Sequence, residues 1–145
     1  VQGMVGGQVV DVESEGKEVD FATLQWIHLH KTAALIIASV RAGGWLGGSG
    51  EQEMAALTKY GEGIGLAFQI IDDVLDVEGN EADLGKKVGG DRQRGKITYP
   101  AFIGLEASKA KAEELVDKGL SALNIFDKKA DPLRGIARFI LTRRS

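Results

Sequence analysis

Apolar residues recur along most of this chain at spacings of three and four, the period that lays a single stripe down one side of a helix. Runs alternating every second residue are few, so the predicted fold class is all-α, in six helical segments. The first covers about 2–14 and is rich in Gly and Val. The second starts at Asp20, a plausible N-cap, and carries Phe21, Leu24, Ile27, Leu35 and Ile36 toward the Gly43-Gly44 region. Glycines 43, 44, 47, 48 and 50 read as a connector, and Ser49-x-x-Gln52 has the form of a capping box opening a third helix over 51–77. Pro100 opens a short helix behind Thr98 to about Glu106, an amphipathic segment covers about 108–125, and Asp131-Pro132 reads as an N-cap with Pro at the first helical position of a last helix reaching Leu141.

Between Gly79-Asn80, which stops the third helix, and Ile97 the apolar stripe disappears. Loops of this length in compact domains are uncommon and usually functional, so the segment is a site candidate on length alone. It carries Lys86, Lys87, Arg92, Arg94 and Lys96 among glycines, whose bare backbone lets N–H groups approach an anion.

Position 69 begins a second departure from pattern. Gln69, Asp72, Asp73 and Asp76 fall within a stripe about 100° wide on one helix face, the spacing normally kept for a buried seam. Phe68, Ile70, Ile71, Val74, Leu75 and Val77 surround it, so three like charges sit among groups that belong in a core. They also lie in the last turns of the helix, where the macrodipole disfavours each anion by about 0.3–1 kcal/mol. A cation must offset them. Carboxylate oxygens select hard cations, and Mg²⁺ binds through one or two carboxylates while phosphate and water fill its other positions. The alternative is a structural network with Lys or Arg from another helix; the basic glycine-rich loop downstream favours a metal-bridged phosphate.

Composition narrows the classes. With 145 residues, 43% of them hydrophobic, the chain can bury roughly 70% of its unfolded surface as one unit. A net charge of −3 argues against a nucleic-acid or anionic-membrane surface. The absence of cysteine removes disulfides and thiolate metal sites and fits a cytoplasmic location, and no apolar run approaches the ~20 residues of a membrane span. The start at Val1, with no initiator Met, leads us to expect a piece of a longer chain.

Other polar residues are ambiguous alone. His28 and His30, two apart on a helix, face different directions and cannot share a metal, so packing roles are expected for both. Lys31 and Thr32 can offer an ammonium to phosphate and a hydroxyl or freed carbonyl to a cation, or Lys31 can simply snorkel along the surface. Gly61-x-Gly63-x-Gly65 follows no strand and lies within a helical period, so it reads as close helix packing. Phe68 and Tyr99 read as wall or core residues.

Taken together, Gly7-Gln8-x-x-Asp11, His30-Lys31-Thr32, Phe68-Gln69-x-x-Asp72-Asp73-x-x-Asp76, Gly85-Lys86, Gly90-Asp91 and Gly95-Lys96-x-Thr98-Tyr99-Pro100 resemble the short-chain trans-prenyl diphosphate synthases, nearest the bacterial farnesyl and geranylgeranyl type. The resemblance runs from Gly3 to the basic tail. It implies an isoprenoid-synthase-like helical bundle, with residues 1–145 forming the C-terminal portion of a single domain whose N-terminal half is absent. It also implies a Mg²⁺-dependent (or Mn²⁺-dependent) condensation of an allylic diphosphate with isopentenyl diphosphate by ionisation, attack and proton loss, in a homodimeric parent.

Carried over by position, the resemblance makes Asp72, Asp73 and Asp76 metal-binding, with Asp72 the first direct ligand and Asp76 acting through water. Lys31, Lys86 and Lys96 would bind the allylic diphosphate, with Asp91 nearby, and Arg143 and Arg144 would form a basic tail closing over the pocket. Thr32 and Gln69 would present oxygen dipoles to the developing cation and, with Lys31 on the diphosphate, would make up the catalytic residues. The first aspartate-rich motif of that family and its isopentenyl-diphosphate arginines do not occur in these residues, so the chain by itself is expected to be inactive. Two rival readings are a non-catalytic synthase-like partner subunit, which has no need of Asp72, Asp73, Lys86 and Lys96 together, and a terpene cyclase, which would carry an Asn-Ser/Thr-x-x-x-Glu type second motif.

Overall fold

A computed structural model describes residues 3–78 and 98–143 of the chain. Every regular element among them is helical: α1 (Met4–Ser14), α2 (Phe21–His28), a π-helical turn (Leu29–Ala33), α3 (Ala34–Leu46), α4 (Glu51–Glu78), α5 (Tyr99–Ile103), α6 (Leu105–Ala122), 3₁₀ turns at Leu123–Ile125 and Lys128–Ala130, and α7 (Asp131–Thr142). The expected all-α class is met. The loop expected over 81–97, with Lys86, Lys87, Asp91, Arg92, Arg94 and Lys96, lies outside the described residues, as does Arg144.

Helix α4 is the axis on which the others pack. Leu57, Tyr60, Ile64, Leu66, Ala67, Ile70, Ile71 and Val74 are all buried and span about half its circumference, and Gly61, Gly65, Asp73 and Asp76 are buried outside that arc. A helix buried well beyond its apolar face belongs inside a bundle. α6, α3 and the π-helical turn lie against it, and Tyr99, Ala112, Val116, Leu123, Ala137 and Ile140 complete the core from α5, α6, the first 3₁₀ turn and α7. Burial of one such aliphatic side chain contributes about 1.5–3 kcal/mol.

The glycines of α4 explain how closely its neighbours approach. A Cβ on Gly65 would lie 2.5 Å from Ala33 Cα in the π-helical turn, and one on Gly63 would lie 2.8 Å from the Leu115 carbonyl of α6. Positions 63 and 65 are about 200° apart around the helix, so each glycine admits a different neighbour. The packing reading of this motif therefore stands.

Several boundaries differ from the sequence reading. The expected second helix is two helices joined through the π-helical turn, where Ala34 N–H bonds the Leu29 carbonyl five residues back. Asp20 does cap α2: its Oδ1 accepts from Thr23 N at 2.8 Å, which holds its carboxyl below the usual value. The glycine connector is shorter than expected, because α3 continues through Gly43 and Gly44 to Leu46, with Gly47 N bonding Gly43 O at 2.9 Å. The expected Ser49 capping box is displaced by one residue. Gly50 O accepts the first helical bond from Met54 N, and Glu53 Oε2 reaches back to Gly50 N at 2.7 Å.

The segment expected over 98–106 ends at Gly104, whose φ of 85° turns the chain into α6. Asp131 is within the first turn of α7 rather than its N-cap, and pairs with Arg134 at 2.7 Å. Arg134 also donates to the Leu123, Phe126 and Asp127 carbonyls, tying α7 to the preceding turns. No helix among the described residues is long and apolar enough to cross a membrane.

Candidate functional site

The polar stripe of α4 is real, but its members turn to three different neighbours. Gln69 faces the π-helical turn, where Thr32 Oγ1 donates to Gln69 Oε1. Asp73 is 5% exposed, and its Oδ2 accepts from Tyr99 N at 2.9 Å and lies 3.7 Å from His28 Nε2. Asp72 is half-buried and takes Arg143 Nη2 at 3.4 Å. Asp76 is 3% exposed.

Asp73 thus does something that its place in an acidic motif gave no reason to expect. Thr98 occupies the N-cap position of α5 without a side-chain hydrogen bond to the helix, and the acceptor for the first helical amide comes from α4 instead. A carboxylate at a helix N-terminus satisfies an orphan N–H and complements the local dipole. It fixes the point where the chain returns to the core at Tyr99, which is fully buried. The Tyr99 ring stacks near His28, with centroids 5.4 Å apart, and meets Phe21 edge-on at 5.1 Å. Burial pushes the Tyr99 phenol above its ordinary pKa, opposed by the hydrogen bond from Gln25 Nε2 at 3.2 Å and reinforced by the Asp73 charge.

Both histidines pack as expected. His28 is buried against Tyr99, and His30 stacks on Trp26 with centroids 3.9 Å apart while its Nδ1 meets the Trp26 carbonyl at 2.8 Å. Carbonyl oxygen only accepts, so this nitrogen carries the proton. Lys31 neither snorkels freely nor reaches the stripe: its Nζ lies 2.6 Å from Asp11 Oδ2 of α1. That contact joins residues twenty apart on separate helices and leaves no periodic signal in the sequence.

Arg143 is the described member of the basic tail. Its side chain is only 9% exposed, its guanidinium lies 4.0 Å over the Phe68 ring, and Nη2 also donates to the Phe68 carbonyl at 3.3 Å. Arg143 Nε is buried with no hydrogen-bond partner among the described residues. Phe68 further lines an apolar trough of about 440 Å³ with Leu35, Ile36, Ile136 and Phe139.

Chemically, this end of α4 offers a half-exposed carboxylate at Asp72, a hydroxyl–amide pair at Thr32 and Gln69, and an anchored ammonium at Lys31. Among the described residues no three His, Cys, Asp or Glu side chains converge into an all-protein metal cage. A hard cation held through one carboxylate and completed by phosphate and water fits that donor set; a zinc-like cage does not. Lys86, Lys96, Asp91 and Arg144, assigned with these residues by resemblance, lie outside the described residues.

The chain is similar to known proteins. The chain is 49% identical over 142 residues to a geranylgeranyl diphosphate synthase of Cyanophora paradoxa, covering 97% of this chain and 47% of that one. It is 45% identical over 147 residues to a farnesyl diphosphate synthase of Escherichia coli (strain K12), covering 99% and 49%. Its fold matches the crystal structure of a geranyltransferase from Helicobacter pylori, complexed with magnesium and isoprenyl diphosphate, with a TM-score of 0.76 at 30% identity, over 97% of this chain and 46% of that one. The chain therefore spans about half the length of the curated relatives it matches. The polyprenyl synthetase family model matches residues 1–129 of a helical chain whose acidic stripe and π-helical turn meet through Thr32 and Gln69, and the chain belongs to that family.

Proposed function

We propose that this chain supplies one wall of a prenyltransferase site, at which an allylic diphosphate is joined to isopentenyl diphosphate to give a short-chain prenyl diphosphate. The observation that carries the reading is the stripe of α4 set against the π-helical turn, tied by the hydrogen bond from Thr32 to Gln69. π-turns inserted in helices are frequent at functional sites. Here the turn carries Lys31 and Thr32 to the same end of the bundle as Asp72.

The residues have separable tasks. Asp72 would hold the metal directly, and Asp76 would act through water. Asp73 belongs to the same acidic motif, with its Oδ2 already accepting from Tyr99 N. Lys31 neutralises the departing diphosphate, joined by Lys86 and Lys96, with Asp91 orienting them. As the allylic C–O bond breaks, its electron pair leaves with the diphosphate and positive charge spreads over the allylic carbons. The Thr32 and Gln69 oxygen dipoles, preorganised by their mutual hydrogen bond, face that charge. The double bond of isopentenyl diphosphate then attacks, and the proton lost from the adjacent carbon goes to the released diphosphate. Bound Mg²⁺, or Mn²⁺ in its place, supplies Lewis-acid neutralisation of the diphosphate oxygens. Arg143 and Arg144 form the basic tail over the site.

We place the parent protein as a homodimer in the cytoplasm, with residues 1–145 as the C-terminal portion of one domain. The test is Asp72→Ala in the full natural polypeptide, assayed with labelled isopentenyl diphosphate and dimethylallyl or geranyl diphosphate under Mg²⁺. Turnover is expected to fall by about 10²-fold or more, the scale of losing one major electrostatic contact to the transition state. A near-normal rate would make the stripe structural and remove the proposal.

A further inference from the structure

We infer that Asp11 is a positioning residue for Lys31, and that the Gly7-x-x-x-Asp11 face of α1 exists to hold that ammonium where the diphosphate binds. The inference rests on the role proposed above for Lys31.

Gly7 and Asp11 are four residues apart, on one face of α1. That face meets the π-helical turn, while Val5, Val9 and Val12, at the same helical spacing, are exposed on another. At its near end the contact is backbone on backbone. A Cβ on Gly7 would lie 2.2 Å from Lys31 N and 2.6 Å from Lys31 Cα, so α1 seats directly on the residue whose side chain is in question. One turn further along, Asp11 Oδ2 takes Lys31 Nζ at 2.6 Å, with side chains 16% and 30% exposed. One helix thus fixes both ends of Lys31, its backbone through a missing side chain and its ammonium through a carboxylate.

Such a brace matters because of the side chain it holds. Lysine has four rotatable bonds and surrenders much rotamer freedom whenever its ammonium is confined. An unbraced Lys31 would lose that freedom on meeting the ligand, and binding would weaken accordingly. The ammonium has three N–H donors; the contact with Asp11 uses one and leaves two for phosphate oxygens. On this inference the carboxylate's role is to aim the cation.

The experiment uses the full natural polypeptide and the variants Asp11→Ala, Asp11→Asn, Lys31→Ala and the Asp11→Ala/Lys31→Ala double. The probe is a non-ionising thiolo analogue of dimethylallyl diphosphate with Mg²⁺, its affinity measured by calorimetry beside KM for each substrate and the melting temperature. Lys31→Ala is expected to weaken the analogue about tenfold, the scale of one charge-assisted hydrogen bond. Asp11→Ala should weaken it comparably, the double should be no weaker than Lys31→Ala alone, and KM for isopentenyl diphosphate should hold. Asp11→Asn, which keeps the shape and an acceptor, should recover part of the loss. Unchanged affinity in Asp11→Ala beside a loss in Lys31→Ala would overturn the brace and leave the proposed function standing. So would additive losses, or equal rises in both KM values with a lowered melting temperature. Unchanged affinity in Lys31→Ala would remove the diphosphate role of Lys31, and the brace with it.

Discussion

Asp72 and Asp73 are neighbours in sequence, yet a 100° step around α4 gives them different work. The first is half-buried beside an arginine, and the second is sealed against Tyr99 as the cap of α5. Substitutions should separate the two. Asp73→Ala removes the acceptor from a buried N–H and is expected to destabilise the fold by about 2 kcal/mol, or about 4–8 °C in Tm at this chain length. Asp73→Asn, which can still accept, should recover most of that. Thermal and urea unfolding followed by circular dichroism would decide it; equal losses for the two variants would mean the cap contributes little. Gly65→Ala makes a complementary case, since its Cβ would sit 2.5 Å from both Cα and Cβ of Ala33. It should cost about 1–3 kcal/mol by overpacking and also loosen the Thr32–Gln69 pair one turn away, seen as a chemical-shift change at both residues.

Between elements, the join of α4 to α7 has a titratable pin. Tyr60 is 1% exposed and donates to the Leu133 carbonyl at 2.7 Å. Burial pushes its phenol up to about 12, against an unfolded value of 10.0. Because the folded value is the higher, the stabilisation is complete below pH 10 and is lost as pH rises from there through about 12. Two units correspond to at most about 3 kcal/mol. Tyr60→Phe should be less stable at pH 7 by about 1 kcal/mol, for the lost hydrogen bond, and that deficit should shrink or reverse between pH 10 and 11. Urea unfolding at the three pH values checks the sign; a constant deficit would show that Tyr60 does not titrate in the alkaline transition. The π-helical turn belongs to this scale too. A single helix over 20–43 was the natural reading, because a one-residue insertion barely disturbs an apolar period. The shift in register shows in the backbone, where Ala34 N–H bonds the Leu29 carbonyl five residues back.

For the molecule as a whole, the surface is less finished than the core. Leu35, Trp45, Leu46, Ile136 and Phe139 are exposed, together with Val5, Val9 and Val12 of α1. Apolar faces of this kind normally meet a partner surface. The 145-residue chain in isolation is expected to self-associate and to show no condensation activity under Mg²⁺. Sedimentation velocity and a labelled-substrate assay test both parts: a clean monomer would contradict the first, and measurable condensation the second.

The sequence by itself determined the helical class, because a 3.6-residue apolar period is a local property of neighbouring side chains. It also exposed the acidic stripe, because four polar residues at seam spacing break that period conspicuously. Tertiary structure alone decided what each stripe residue touches. The Asp73 cap on Tyr99, the Arg143 contact with Asp72 and the Asp11 contact with Lys31 join residues 26, 71 and 20 positions apart. Such pairings follow from how helices cross and which glycines let them approach. Local periodicity carries no record of either.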